Sequence, residues 1–156
     1  MTEATDSGPV LVIRRTIAVP RERVFEAWLD SDSLARWMLP EDFSRSTVSV
    51  NPQVGGGFRI VMVGPTHGTV EHWGEYLAIE RPSFLSFTWL SPHTDRRPTV
   101  VTVEFHEIAA GTELVLTHRG LPRTEVEGHR RGWTDVVQLL DAVLTGAEGR
   151  SAAGEP

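Results

Sequence analysis

The residues best suited to chemistry in this sequence are a histidine and two charged side chains that an alternating pattern turns toward the interior. His118 follows Leu114 and Leu116 at inward positions of a β-rich segment, and Glu75 and Arg15 fall on similar positions of other segments. An imidazole titrates near neutral pH and can act as an acid, a base or a hydrogen-bond donor. A buried charge needs a partner. We therefore expect these groups to pair with each other or with a ligand.

Two roles are open for this set. His118 and Glu75 are candidate catalytic acid/base groups of a cyclase or dehydratase, with Arg15 steadying an enolate. Alternatively, His118 is a structural histidine and the charged residues form an internal ion pair, since structural networks also perturb titratable groups. The residue pattern favours the structural interpretation. Whether the protein is an enzyme stays undecided, with the balance against it.

The motifs of other common active sites are absent from the sequence. His67 and His72 are five residues apart at the start of a β-rich segment, which predicts opposite faces, and no third ligand has metal spacing. Gly55-Gly56-Gly57 precedes a strand instead of a helix, so it forms a turn or a β-bulge and not a phosphate cradle. We expect no metal and no cofactor.

The composition is that of one globular domain. The chain has 156 residues, of which 40% are hydrophobic and 23% charged, and its net charge is −6. Such an acidic chain lacks the basic surface that binds nucleic acid or anionic membranes. It has no cysteine, which excludes disulfides and permits a reducing cytoplasm, where we expect it to reside. We predict one domain over residues 10–145, between flexible tails at 1–9 and 146–156 that are rich in small and polar residues.

The elements that position these residues are organised around a C-terminal helix. In the stretch GHRRGWTDVVQLLDAVL, Gly128–Leu144, apolar residues recur at spacings of three and four, which places them on one helix face. Those residues are Trp133, Val136, Val137, Leu140, Val143 and Leu144. Gly128 and Gly132 loosen the first turn, so we expect the helix to begin between Gly128 and Trp133. Its apolar face requires a sheet to cover it.

The sequence upstream predicts that sheet. A first strand over Leu11–Val19 is followed by two short helices, one after Pro20 and one through Leu34 that Pro40 ends. Segments with a period of two then alternate with glycine- and proline-rich breaks, as strands and turns do. These segments are Ser44–Val50, Phe58–Val63, Thr69–Glu80, Phe84–Ser91, Thr99–Ile108 and Thr112–Arg119. Strands so close in sequence pair antiparallel as a meander. The predicted fold class is α+β, with a curved antiparallel sheet of about seven strands around the C-terminal helix.

The alternation also assigns the two faces of the sheet. Along the predicted strands, polar residues such as Ser86 are placed on the face toward water, and the apolar residues that alternate with them are placed on the face toward the interior. In Thr69–Glu80 we place Trp73, Glu75 and Leu77 inside. A β-bulge near Gly74 would reverse this set, because a slip of one residue exchanges the faces.

The order of these segments resembles a known superfamily. The stretches VFEAWLDSDSLARWMLP, GGGF, WGEYLAIERPSFLSFTW, GTELVLTHRGLP and GHRRGWTDVVQLLDAVL, after a first strand, are similar to the START/birch-allergen-like (SRPBCC) superfamily. The similarity points to the branch named after the C-terminal domain of the heat-shock-protein-90 ATPase activator. It implies a helix-grip fold with a cavity between the long helix and the concave sheet. In such relatives the cavity holds lipids, sterols, polyketides or other apolar molecules.

The inward positions fit a cavity of this kind, because aromatic residues and methionine line pockets for flat or apolar ligands. Each residue alone is better explained by core packing, whereas the set, together with the resemblance, favours a partly open cavity. The predicted ligand-binding residues are Trp37, Phe58, Ile60, Met62, Trp73, Phe87, Trp89, Phe105, His118, Trp133, Val137 and Leu140.

Three functions remain open from the sequence. The first is binding of a small hydrophobic metabolite, aromatic or polyketide-like, in antibiotic biosynthesis or in self-resistance of the kind that enediyne-protecting relatives provide. The second is the cyclase or dehydratase described above. The third is a chaperone-activating interaction module, which would need an exposed apolar patch. We favour the first, with a small hydrophobic ligand as partner and neither nucleic acid nor a membrane.

Overall fold

The computed structural model describes residues 8–146. Residues 1–7 and 147–156, which make up most of the two predicted tails, lie outside the described residues. The helices and strands are β1 Val10–Ile17, α1 Arg21–Ala27, α2 Ser31–Trp37, β2 Arg45–Val50, β3 Gly57–Gly64, β4 Gly68–Glu80, β5 Phe84–Trp89, β6 Thr99–Ile108, β7 Gly111–Arg119 and α3 Val126–Thr145. None of the helices in this described part is long and apolar enough to cross a membrane.

The seven strands form one antiparallel sheet in the order β1-β7-β6-β5-β4-β3-β2. Strands β2 to β7 are the predicted meander, and β1 pairs with β7, so β1 and β2 are the two edges. The sheet curves around α3, and the two short helices lie between β1 and β2 in the chain. The predicted helix-grip architecture is therefore confirmed.

Helix α3 begins earlier than the sequence predicted. It starts at Val126, directly after a 3₁₀ turn at Arg123–Glu125, and Gly128 and Gly132 lie inside it. Each glycine inside a helix costs about 1 kcal/mol relative to alanine, but packing of an apolar face stabilises a helix more than propensity does. The face that α3 buries is the predicted one, with Trp133, Val136, Val137 and Leu140 in the core.

An aromatic cluster fills the half of the interior next to α1 and α2. Its central residue is Trp28, which directly follows α1 and is only 2% exposed. Its ring centroid lies 4.8 Å from Trp37, 6.4 Å from Phe87, 6.4 Å from Phe105 and 6.5 Å from Trp133. Aromatic pairs at such distances contribute about 0.5–1.5 kcal/mol beyond their buried area. This half of the space between sheet and helix is filled except for a gap of about 20 Å³ beside Trp28.

The predicted inward placement of Trp73, Glu75 and Leu77 is wrong. The residues of β4 that are buried are Val70, His72 and Tyr76. His72 lies directly opposite Ile60 of β3, which is itself buried, and directly opposite residues share a face of the sheet. Glu75 and Leu77 are exposed, and Trp73 is half-buried on the outer face, where the Arg96 guanidinium lies 5.7 Å from its ring.

Gly74 is the reason for this error. It occupies an inward position of β4, where an added Cβ would collide with the Thr88 backbone carbonyl oxygen and would lie 2.7 Å from the Phe58 ring. The inner face of β4 therefore lacks a side chain midway between His72 and Tyr76, and the outward Trp73 and Leu77 carry the stronger apolar signal.

One polar residue that was predicted to face water is buried. Ser86 of β5 is 7% exposed. β5 is the central strand of the sheet, and Ser86 lies between Ala78 and Thr102 of the neighbouring strands. A small side chain at the centre of a wide sheet is covered by its neighbours even on the outer face. The predicted inward residues of β3, β5, β6 and β7 are buried as expected.

Candidate functional site

A cavity of about 520 Å³ lies beside the first half of α3, at the end of the interior away from the Trp28 cluster. Cavities of 300–1,000 Å³ are typical of small-molecule sites. Its walls come from the loop after α2, strands β3 to β5, the loop after β5 and the start of α3. The lining residues are Met38, Pro40, Glu41, Asp42, Phe43, Met62, His67, His72, Trp89, His93, Thr124, Glu125, Glu127, Gly128, His129, Arg131, Gly132, Trp133, Asp135 and Val136.

Two glycines of α3 keep this cavity open. Gly128 and Gly132 are one helical turn apart, so both lie on the face of α3 that lines the cavity. A Cβ added at either position would meet no atom within 4 Å. Any larger residue there would project into the cavity, so the missing side chains of this pair give the site part of its volume.

The floor of the cavity is apolar and aromatic. Met38, Met62, Trp89 and Trp133 are each 4% exposed or less. The Trp89 and Trp133 ring centroids are 5.0 Å apart and tilted by 54°. Such a floor offers flat apolar surface with polarisable sulfur at its edge, which suits an aromatic ligand.

His72 is the polar residue of this floor. It is 6% exposed, its ring lies 4.9 Å from that of Trp89, and its Nδ1 has no hydrogen-bond partner in the described part of the chain. The indole Nε1 of Trp89 is also buried without a partner there. Burial lowers the pKa of His72 to about 3, assisted by repulsion from His129 and His93. The floor therefore contains a neutral imidazole with one unpartnered ring nitrogen.

His118 lies behind the cavity and is fully engaged. The indole Nε1 of Trp133 donates to its Nδ1 at 3.0 Å, so the proton of the neutral ring is on Nε2. Nε2 then donates to Thr99 Oγ1 at 2.7 Å, and this hydroxyl donates to the Trp89 carbonyl at 2.6 Å. Burial lowers the pKa of His118 to about 3. With 0% exposure and both nitrogens bonded, His118 is a structural residue that fixes Trp133 and Trp89.

Glu125 and two histidines border the mouth. The Nδ1 of His129 donates to the Glu125 carbonyl at 2.9 Å, which leaves its Nε2 as an acceptor while the ring is neutral. Burial lowers the pKa of His129. One Glu125 carboxylate oxygen lies 3.8 Å from His129 Nδ1 and 3.9 Å from His93 Nδ1. The histidines thus join the start of α3 to the loop after β5.

The opposite side of the mouth is held by similar contacts. His67 lies 3.5 Å from an Asp42 carboxylate oxygen, and its ring stacks on Phe43 at 5.5 Å. The Glu41 backbone N–H donates to Asp135 on α3 at 3.1 Å. Three loops and the helix therefore meet around the entrance. The expected opposition of His67 and His72 is wrong, because His67 lies in the turn before β4, where strand alternation does not apply.

The structure divides the predicted site residues into three groups. Met62, Trp89 and Trp133 line the cavity. Trp73 and the candidate catalytic residue Glu75 lie on the outer face of the sheet. The remaining predicted ligand-binding residues are buried in the core outside the cavity lining, namely Trp37, Phe58, Ile60, Phe87, Phe105, His118, Val137 and Leu140. Glu75 therefore cannot act together with His118.

Arg15 has the protein partner that the structural interpretation required. Its Nε donates to Asp141 Oδ2 at 2.8 Å, which ties β1 to the second half of α3. Neither residue lines the cavity. The pair is structural and partly exposed, so it contributes only modestly to stability.

The loop and helix-start residues of the site were not predicted from the sequence. His93, Glu125 and His129 lie outside the strands, so no period-two pattern could place them. A usable signal was the spacing of Gly128 and Gly132, since two glycines four apart clear one stripe of a helix. Histidine content was another, because four of the six histidines line this one cavity. Among the described residues, no group of three or more His, Cys, Asp or Glu is placed to hold a metal ion.

Comparison with known proteins gives one family and one fold. The family model described as "Activator of Hsp90 ATPase homolog 1-like protein" matches residues 18–145. None of the curated proteins is similar enough in sequence to be matched.

Solved structures are similar over nearly the whole chain. Protein CV1439 from Chromobacterium violaceum has 23% identity and a TM-score of 0.76, covering 87% of this chain and 97% of its own. Protein Ms6760 from Mycobacterium smegmatis has 22% identity and a TM-score of 0.77, covering 92% and 94%. CalU16 from Micromonospora echinospora has 20% identity and a TM-score of 0.67, covering 90% and 79%. At these identities the similarity shows the shared fold.

Proposed function

The chain belongs to the activator of Hsp90 ATPase homolog 1-like family, whose fold typically binds hydrophobic ligands, and we propose that it binds a small aromatic metabolite in the cavity beside α3. The observation that carries this proposal is the 520 Å³ cavity with its floor of Trp89, Trp133 and Met62. A polyketide-like ligand in antibiotic biosynthesis or self-resistance is the specific form of the proposal. The cytoplasm is the compartment we propose, since a chain without cysteine has no disulfide to lose there.

The unused hydrogen-bonding groups on the floor support a ligand. A buried polar group without a partner costs about 1–3 kcal/mol, and both His72 and Trp89 carry one. Binding of small molecules commonly combines an apolar pocket with a few polar groups that orient the ligand. His72 and His129 are the residues best placed for that role, because both line the cavity.

The five tryptophans provide an internal test of where a ligand binds. Trp89 and Trp133 line the cavity, whereas Trp73 lies on the outer face of the sheet. Titration with the neutral aromatic probe N-phenyl-1-naphthylamine should shift the indole N–H NMR signals of the two cavity residues and leave that of Trp73 in place. Native mass spectrometry of the purified protein would in parallel detect a co-purified ligand. Shifts confined to Trp73, or no saturable shift, would refute the proposed site.

The two other functions have less support. The named acid/base pair of the enzyme does not exist, because His118 is bonded at both nitrogens and Glu75 is on the outer face. An interaction module needs a contiguous apolar patch. The exposed large apolar residues of the described chain are Val10 and Val12 on β1, Leu77 on β4, Ile108 on β6 and Val54 in the loop before β3.

A further inference from the structure

We propose that the ligand is a hydrophobic amine, whose protonated nitrogen binds at the carboxylates of the mouth while its apolar body lies against Trp89 and Trp133. This inference rests on the proposed function and specifies its ligand class. It follows from the charges around the entrance, from the hydrogen-bonding character of the interior and from the aromatic floor.

The entrance is strongly acidic. Five carboxylates line the cavity, and Arg131 is the one arginine among the lining residues. Those carboxylates belong to Glu41, Asp42, Glu125, Glu127 and Asp135. A mouth of one charge with low-dielectric walls attracts ligands of the opposite charge and repels those of the same charge. An anionic metabolite would approach this entrance against its field.

Among the described residues, four of these five carboxylates have no arginine partner, and two of the four, Glu125 and Asp135, are half-buried. Glu127 lies 3.3 Å from Arg130, but no arginine of the described chain is within 4.0 Å of Glu125 or Asp135. The charged neighbours of Glu125 are His93 and His129, which carry charge only when protonated. Glu41 and Asp42, in contrast, are exposed. Water therefore screens the charges of the half-buried Glu125 and Asp135 less, and these two are the carboxylates best able to receive an ammonium group.

The interior offers an acceptor on His129 as well as the unpartnered donor of the Trp89 indole. The N–H of His129 is used by a backbone carbonyl, so its remaining nitrogen accepts. His72, at 6% exposure, lines the cavity with an unpartnered ring nitrogen. An ammonium group has only N–H donors to offer, and the faces of Trp89 and Trp133 also attract cations. The acidic rim, the accepting nitrogen of His129 and the indole faces all match the same ligand chemistry.

Three probes of nearly equal shape isolate the charge. 2-Naphthylmethylamine, 2-naphthalenemethanol and 2-naphthoic acid are cationic, neutral and anionic at pH 7. Titration calorimetry at low salt should rank their affinities in that order, with about tenfold or more between amine and acid if two half-exposed ion pairs are gained and repulsion is avoided. The amine's advantage should shrink in 0.5 M salt, because screening weakens exposed charge pairs.

Variants of single carboxylates identify which negative charge contributes to binding of the amine. Glu125→Gln and Asp135→Asn should each lower the ratio of amine to alcohol affinity by about two- to fivefold. Glu107→Gln is the matched control, because it removes the same charge at an exposed position of β6 that does not line the cavity. This control should leave the ratio unchanged. Circular dichroism melts establish that each variant is folded.

The outcomes separate the two proposals. If the alcohol and the acid bind as tightly as the amine, or if Glu107→Gln lowers the ratio as much as Glu125→Gln, the amine inference is refuted while a hydrophobic site stands. If none of the three probes binds, the proposed binding of aromatic molecules in this cavity is refuted, and the amine inference with it.

Discussion

Replacing Gly128 and Gly132 by larger residues should stabilise the protein while it removes ligand binding. Both glycines lie inside α3, neither has a positive φ, and no atom lies within 4 Å of an added Cβ. Each Gly→Ala change should therefore gain about 0.5–1 kcal/mol. For a protein of this size the double alanine variant should melt about 2–8 °C higher. Leucine has nearly the same helix propensity as alanine and adds three carbon atoms beyond Cβ that project into the cavity.

The assay combines thermal melting with titration of N-phenyl-1-naphthylamine. The double leucine variant should melt at least as high as the unmodified protein and should lose most of its affinity for the probe, with the alanine variant intermediate. Gly74→Ala is the contrasting control, since its Cβ would collide with the Thr88 backbone carbonyl oxygen and the Phe58 ring. A leucine variant that binds the probe normally would show that ligands bind elsewhere. One that melts lower would show that the glycine pair serves the fold.

Further predictions concern the buried polar groups and the tight core. Because burial lowers the pKa of His72 and His118 from 6.5 to about 3, the unfolded chain binds more protons between these values, so each histidine should cost about 1.4 kcal/mol of stability per pH unit as pH falls from 6.5 toward 3. Urea unfolding at several pH values measures how the free energy of unfolding changes with pH. His118→Gln should lower this slope by about 1.4 kcal/mol per pH unit, which corresponds to one proton. Trp133→Phe removes the donor to His118 Nδ1 and should cost about 1–3 kcal/mol in urea unfolding; a loss below 0.5 kcal/mol would contradict the assigned hydrogen bond. Gly74→Ala should destabilise the protein by about 1–3 kcal/mol, because the added Cβ would collide with the Thr88 backbone carbonyl oxygen and the Phe58 ring, and an unchanged urea midpoint would refute the crowding argument.

The sheet and the C-terminal helix were predicted well from the sequence because strands and helices both leave a periodic pattern of apolar residues. Strands such as Thr99–Ile108 repeat their pattern over several residues, and the buried face of α3 repeats at three and four. Even so, the predicted inward and outward faces of β4 were exchanged, because a glycine leaves no inward side chain between His72 and Tyr76. The assignment of faces depends on every position of a short strand. A single glycine that a close neighbour requires, here Gly74 beside Phe58, is therefore enough to reverse it.

The cavity could not be predicted in the same way, because its walls come from segments without a period. Glu41 and Asp42 follow α2, His67 and His93 lie in turns, and Glu125 precedes α3. Loops are positioned by tertiary contacts, for example the Asp42–His67 pair at 3.5 Å. Consequently, apolar residues of the cavity floor were predicted from the sequence, and the polar residues of the rim were not.

The interior thus has two halves that both contain tryptophans. In one half they pack the core, and in the other they line the cavity. Near α1, Trp28 fills the space between sheet and helix, and its contacts with Trp37 and Phe105 supply the packing that a domain of this size needs. Near the start of α3, two tryptophans of the same sheet-and-helix interface face an open space that Gly128 and Gly132 preserve at a cost in helix stability. His118 joins the halves, since it fixes Trp133 through its Nδ1 and Thr99, beside Trp89, through its Nε2. An open cavity with a rigid floor is what a binding site for a flat ligand requires, because side chains that are already ordered lose little entropy when the ligand arrives.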